Sequence, residues 1–136
     1  MTDLIPMGLF TVDQARIELA KLRPVIDELI VVRADLVEIS AALTPGGLPT
    51  ALGGLPERKA AEARLNELMT AIQETGAELK GVAPLLVDFP ADLVLGDLGE
   101  VPVLLCWLEG DAELTWYHRA DLGFAGRRPL GDRTGA

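Results

Sequence analysis

One apolar stripe near the start limits what this chain can fold into. Behind Phe10 and Thr11, apolar side chains recur at Ala15, Leu19, Leu22, Val25, Leu29, Val32, Leu36, Ile39 and Leu43. Steps of three and four keep such residues on one face of an α-helix. Arg16, Arg23, Asp27, Asp35 and Glu38 fall on the other faces, as a solvated helix surface requires. Thr11 is placed to cap the helix, with Gln14 completing a capping box. Pro24 has no N–H to donate, so a kink or a break is expected there. Continuous from Val12, the helix would be about 48 Å long, against about 37 Å across a compact domain of this size. That mismatch leads us to expect self-association, with a dimer favoured. The competing expectation is a monomer folded back at Pro24.

The segment Thr44 to Pro56, TPGGLPTALGGLP, holds four glycines and three prolines and reads as a linker. Beyond it, Ala61, Leu65, Leu68 and Ile72 form the seam of a second helix from about Glu57 to Thr75, with Gly76 as its C-terminal cap. The part of the first helix after Pro24, about 30 Å, matches the second helix, about 28 Å, and predicts a long antiparallel, coiled-coil-like hairpin over about residues 11–76.

After Gly76 the period changes. Leu85 to Phe89 reads as a strand ended by Pro90, and Gly96 and Gly99 bracket a turn. Val101–Leu108 and Ala112–His118 read as a hairpin around Gly110-Asp111. Helices followed by strands predict an α+β fold: the helical hairpin and then a small antiparallel sheet within residues 77–130. The whole, 1–136, is expected to be a single domain with a tail from 131 to 136.

Composition removes several functions. The longest apolar run, Val101 to Leu108, is far too short to span a bilayer, so no membrane partner is expected. A single cysteine and an N-terminus without a signal pattern fit a cytoplasmic protein. The net charge of −9 is concentrated between Val82 and His118, which contains no lysine or arginine. An acidic body with a short basic tail from Arg119 argues against a nucleic-acid partner.

The rare side chains gather between Val101 and Leu130: both tryptophans, the only tyrosine, the only cysteine and the only histidine. A two-residue loop at Gly110-Asp111 would pair Trp107 with Leu114, Leu105 with Trp116 and Val103 with His118, with Cys106 facing away opposite Thr115. In that register, or with a longer loop that leaves them about 13 Å apart, Cys106 and His118 cannot share a zinc ion or form a nucleophilic pair. Cys106 then reads as a small buried hydrophobe. His118 ends a strand and either bonds locally or pairs with Asp88 or Asp121, as an acid-base dyad or as metal ligands. Gly123 to Pro129, GFAGRRP, could hold an anion on Arg127 and Arg128, or could pack as a turn with Phe124 in the core. Neither a P-loop nor a serine-based triad is present.

Several short segments, in order, carry a resemblance that covers nearly the whole chain. They are Phe10-Thr11, Val87-Asp88-Phe89-Pro90, Leu105-Cys106-Trp107, Gly110-Asp111, and His118 through Gly123-Phe124-Ala125-Gly126-Arg127 with Pro129-Leu130. Together they resemble an uncharacterised bacterial family, domain of unknown function 2203. Tyr117 stands where that pattern has tryptophan, and the Pro/Gly linker is unusually long. The resemblance implies that Asp88, Trp107, His118, Gly123, Gly126 and Arg127 belong to a recurring arrangement, and it implies no activity and no known cofactor.

The expected function is therefore a non-catalytic cytoplasmic interaction or scaffold module, a homo-oligomer associated through its helices. The alternative is a small-ligand or metal-binding protein with Asp88, Trp107, His118, Asp121 and Arg127 around its site, the metal candidates being His118, Asp88 and Asp121. A small enzyme with His118 as general base is the third reading. A binding site at a strand end predicts that His118→Ala changes stability by no more than about 1 kcal/mol.

Overall fold

The capping box forms. In the computed structural model, which describes residues 9–95 and 101–131, the Thr11 N–H donates to Gln14 Oε1 and the Gln14 N–H to Thr11 Oγ1, both at 3.0 Å. Helix α1, Val12–Leu43, begins directly after it. Thr11→Ala should cost about 1 kcal/mol, the usual loss for a threonine cap, read as a lowered midpoint in urea. No change in the midpoint would mean that the box does not form in solution.

Pro24 lies inside α1 without breaking it. The hydrogen bond it cannot make would run to the carbonyl of Ala20, and both residues are exposed. Water can serve that carbonyl, while Leu22, Ile26 and Leu29 stay buried on the other side. The expected break is thus absent. Helix α2, Leu55–Gln73, starts two residues earlier than the periodicity indicates and ends before Gly76, whose φ of 95° suits a helix C-terminus.

The chain divides into two compact units, Leu22–Ala71 and the combination of Met1–Lys21 with Ile72–Ala136. In the helical unit, Leu22, Ile26, Leu29, Ile39 and Leu68 are buried. Across it, Arg64 grips Glu28 with two hydrogen bonds of 2.6 and 2.7 Å. Both partners are close to half exposed, so this pair adds little stability. Thr50, in the linker, bonds Glu38.

The second unit is built on a five-stranded antiparallel meander: β1 Glu78–Val82, β2 Leu85–Leu95, β3 Val101–Leu108, β4 Trp116–Arg119 and β5 Arg128–Pro129, in that spatial order. Two helices followed by this sheet make the fold α+β. Among the described residues no helix is long and apolar enough to cross a membrane. The turn expected at Gly96 and Gly99, and the tail from 132, lie outside the described residues.

Two strand expectations need correction. Strand β2 does not stop at Pro90 but runs on to Leu95. The register of β1 reaches only Asp88, so beyond it that edge of β2 has no strand neighbour among the described residues and a missing N–H costs no ladder bond. Phe10 fills the gap: its N–H donates to the Pro90 carbonyl, and its own carbonyl accepts from Asp92 N–H, each at 2.8 Å.

The β3–β4 hairpin also differs from the two-residue turn. Its connection runs from Glu109 to Thr115, and the observed pairs are Val103 with Arg119, Leu104 with His118, Leu105 with Tyr117 and Cys106 with Trp116. Asp111 explains the longer loop. Its carboxylate accepts from Leu108 N–H at 3.0 Å and from Arg127 at 2.9 Å, and its carbonyl accepts from the Trp107 indole at 3.0 Å. Those bonds hold Asp111 in the loop. Arg16 then fixes the Leu114 carbonyl at 3.1 Å.

Strand alternation sorts the sheet into two faces. One carries Leu85, Val87, Phe89, Val103, Leu105, Trp107 and Tyr117, all buried. Phe10 packs edge-on against Phe89, ring centroids 5.2 Å apart.

Candidate metal centre

The other face carries Asp88 on β2, Cys106 on β3 and His118 on β4. Asp88 lies directly opposite Cys106, and His118 lies opposite Leu104, two residues from Cys106 along the strand. Moving β4 by one position from Cys106–Thr115 to Cys106–Trp116 turns His118 to the side of the cysteine. Cys106 and His118 therefore do not point apart, as the two-residue loop required. Three donor atoms, from Asp88, Cys106 and His118, lie within 4.8 Å of one another, and all three residues are buried.

His118 is held at both ring nitrogens. Nδ1–H donates to the Arg119 carbonyl at 2.8 Å, since a carbonyl can only accept. Nε2 faces Asp88 Oδ2 at 2.9 Å, and that contact holds one proton. The pair is an imidazolium with a carboxylate, or a neutral imidazole with a carboxylic acid; either way it carries no net charge. The second Asp88 oxygen, Oδ1, is buried with no hydrogen-bond partner among the described residues. Such an orphan is costly unless something else fills its lone pairs.

The Cys106 thiol lies against this carboxylate. Burial, then the charge of Asp88 and a polar contact with it, push its pKa up to about 12, partly opposed by Arg127. A thiol is a weak donor, and Oδ1 keeps no hydrogen-bond partner among the described residues beside it. At neutral pH it is protonated and a poor nucleophile.

Arg127 closes the neighbouring surface. Its guanidinium stacks 4.5 Å from the Trp116 ring centroid and 4.6 Å from that of Phe124. Burial works against its charge, and the hydrogen bond and charge of Asp111 overcome this, so its pKa is raised. The GFAGRRP segment thus supplies an arginine already committed to Asp111 and two rings. Phe124 is exposed, not plugged into the core.

Of the residues singled out from the sequence, Asp88 and His118 meet in one site and Arg127 lies beside it. Trp107 is on the opposite face of the sheet, bonding Asp111 through its indole. Asp121 is exposed and takes two hydrogen bonds from Arg119, at 2.9 and 2.6 Å, leaving no place for it with His118. Cys106 is the member that reasoning from the hairpin missed. A signal was present: an aspartate inside the apolar run Leu85-Leu86-Val87-Asp88-Phe89 must find polar company once buried.

The donor set suits a transition metal. Ligand atoms at about 2.0–2.3 Å from a tetrahedral ion lie about 3.3–3.8 Å from one another. The observed 2.9 Å contact and the 4.8 Å limit bracket that spacing. A ligating histidine commonly donates its remote N–H to a carbonyl, which is what Nδ1 does here.

Comparison with known proteins adds one match. The sequence model of a family described as "Uncharacterized conserved protein (DUF2203)" matches residues 8–130. No curated protein and no solved structure matches.

Proposed function

The chain belongs to the DUF2203 family, and we propose that it is a non-catalytic metal-binding protein whose ion sits at Asp88, Cys106 and His118. The convergence of three different donors from three adjacent strands carries the reading. Charge balance supports it. Without metal, the cluster holds one proton between Asp88 and His118 and one on Cys106, and is neutral. A divalent ion that replaces both protons leaves a carboxylate, a thiolate and a neutral imidazole around two positive charges. The buried cluster stays neutral, so the large cost of burying a net charge does not arise.

Native mass spectrometry of the full chain after exposure to zinc is the test. Wild type should retain one ion that a chelator removes, and Cys106→Ala should lose it while keeping the Asp88–His118 bond and the fold. Retention of no ion by wild type, or equal retention by the variant, would overturn the reading.

The same spectra test a second reading, self-association as a cytoplasmic homodimer through the helices, paired as an antiparallel hairpin. Continuous α1, with Ile17, Val31 and Val37 more than half exposed, favours it. A monomer at all accessible concentrations would remove it and leave the metal proposal untouched.

A further inference from the structure

We infer that the ion is a divalent cation of the zinc class, held in a closed site in which Asp88 gives both carboxylate oxygens and no position is left for an outside ligand. The inference rests on the metal-binding reading of the preceding section and adds which ion and what kind of site.

The donors decide the class. A thiolate and an imidazole favour borderline and soft metals, whereas magnesium and calcium require oxygen ligands. Cys106 and His118 supply sulfur and nitrogen, and only Asp88 supplies oxygen. The carboxylate and thiolate together offer two negative charges, which a dication balances in a site this dry.

Burial decides the kind of site. Three protein ligands ordinarily leave a zinc ion one open position for water. Here Asp88 is 2% exposed, His118 3% and Cys106 0%. Within that enclosure Asp88 Oδ1 is a second oxygen on the same carboxylate, with no hydrogen-bond partner among the described residues. Bound to the ion through Oδ1 and Oδ2, Asp88 gives four donor atoms with Cys106 and His118, in a geometry distorted from the tetrahedron because two oxygens of one carboxylate lie closer than a tetrahedral edge; burial of all three residues closes the remaining side. The orphaned lone pairs are then satisfied and water is not needed. Such an ion ties β2, β3 and β4 together and does not activate a substrate.

Cobalt(II) reports both features. Metal-stripped full chain titrated with Co²⁺ should develop a thiolate-to-cobalt charge-transfer band that saturates at one ion per chain. Cys106→Ala should lose the band. A large excess of magnesium or calcium should leave it unchanged, and so should azide, which shifts the visible bands of cobalt sites with an open position. Displacement by magnesium or calcium, or an azide-induced shift, would overturn the inference. A bound ion without a thiolate band would overturn it while sparing metal binding itself. Binding of no ion at all would remove both.

Discussion

In the presence of a chelator, Asp88→Ala should lose about 3–5 kcal/mol of stability, the usual cost of breaking a buried pair by removing one partner. The Asp88 side chain is 2% exposed and shares one proton with His118 Nε2 at 2.9 Å. Without it Nε2 loses its hydrogen-bond partner inside a buried site, while Nδ1–H still donates to the Arg119 carbonyl. His118→Ala should be comparably damaging, because it leaves two Asp88 oxygens unpaired instead of one. This departs from the expectation of about 1 kcal/mol for a histidine at a strand end, because His118 is 3% exposed. Replacing both partners together, Asp88→Leu with His118→Leu, should recover much of the loss, since an apolar pair of similar volume needs no hydrogen bonds. Urea denaturation of wild type, Asp88→Leu, His118→Leu and the double leucine variant forms a double-mutant cycle. Single variants that unfold at the wild-type midpoint would show that the buried bond does not form in solution.

The helices were legible because their signals are local. The steps of three and four, Thr11 with Gln14, and Gly76 each act within a few residues, and the structure places them as the pattern requires. Strand β3 was legible for the same reason, as an apolar run bounded by other chemistry. The site was not, because it depends on a register fixed from elsewhere in the chain. Arg127, sixteen residues beyond Asp111, and Arg16, far upstream, determine how the chain crosses from β3 to β4. A single-residue difference in that crossing decides whether Cys106 sees His118 or not. Pro90 shows the same limit: whether a proline ends a strand depends on which neighbour lies beside it, and here that neighbour is Phe10.

The metal-free protein should lose stability as the pH rises from about 9 to about 12, by at most about 1 kcal/mol per pH unit from Cys106 alone. The folded thiol is held up at about 12, by burial first and then by Asp88, from an ordinary value of 9.0. Below the ordinary value both folded and unfolded chains carry the proton, and the contribution is complete. Between the two values the unfolded chain has lost its proton while the folded chain keeps it, so each further pH unit favours unfolding. Above the folded value the slope ends. The measurement is the difference between wild type and Cys106→Ala, each unfolded in urea across the interval, so that contributions common to both cancel. The variant should be less stable at pH 8, because it removes a buried sulfur and leaves a small cavity. The gap should then close and reverse as the pH rises. A constant gap from pH 8 to pH 11 would mean that Cys106 titrates alike in both states, and that the buried surroundings of Asp88, Cys106 and His118 do not persist in solution.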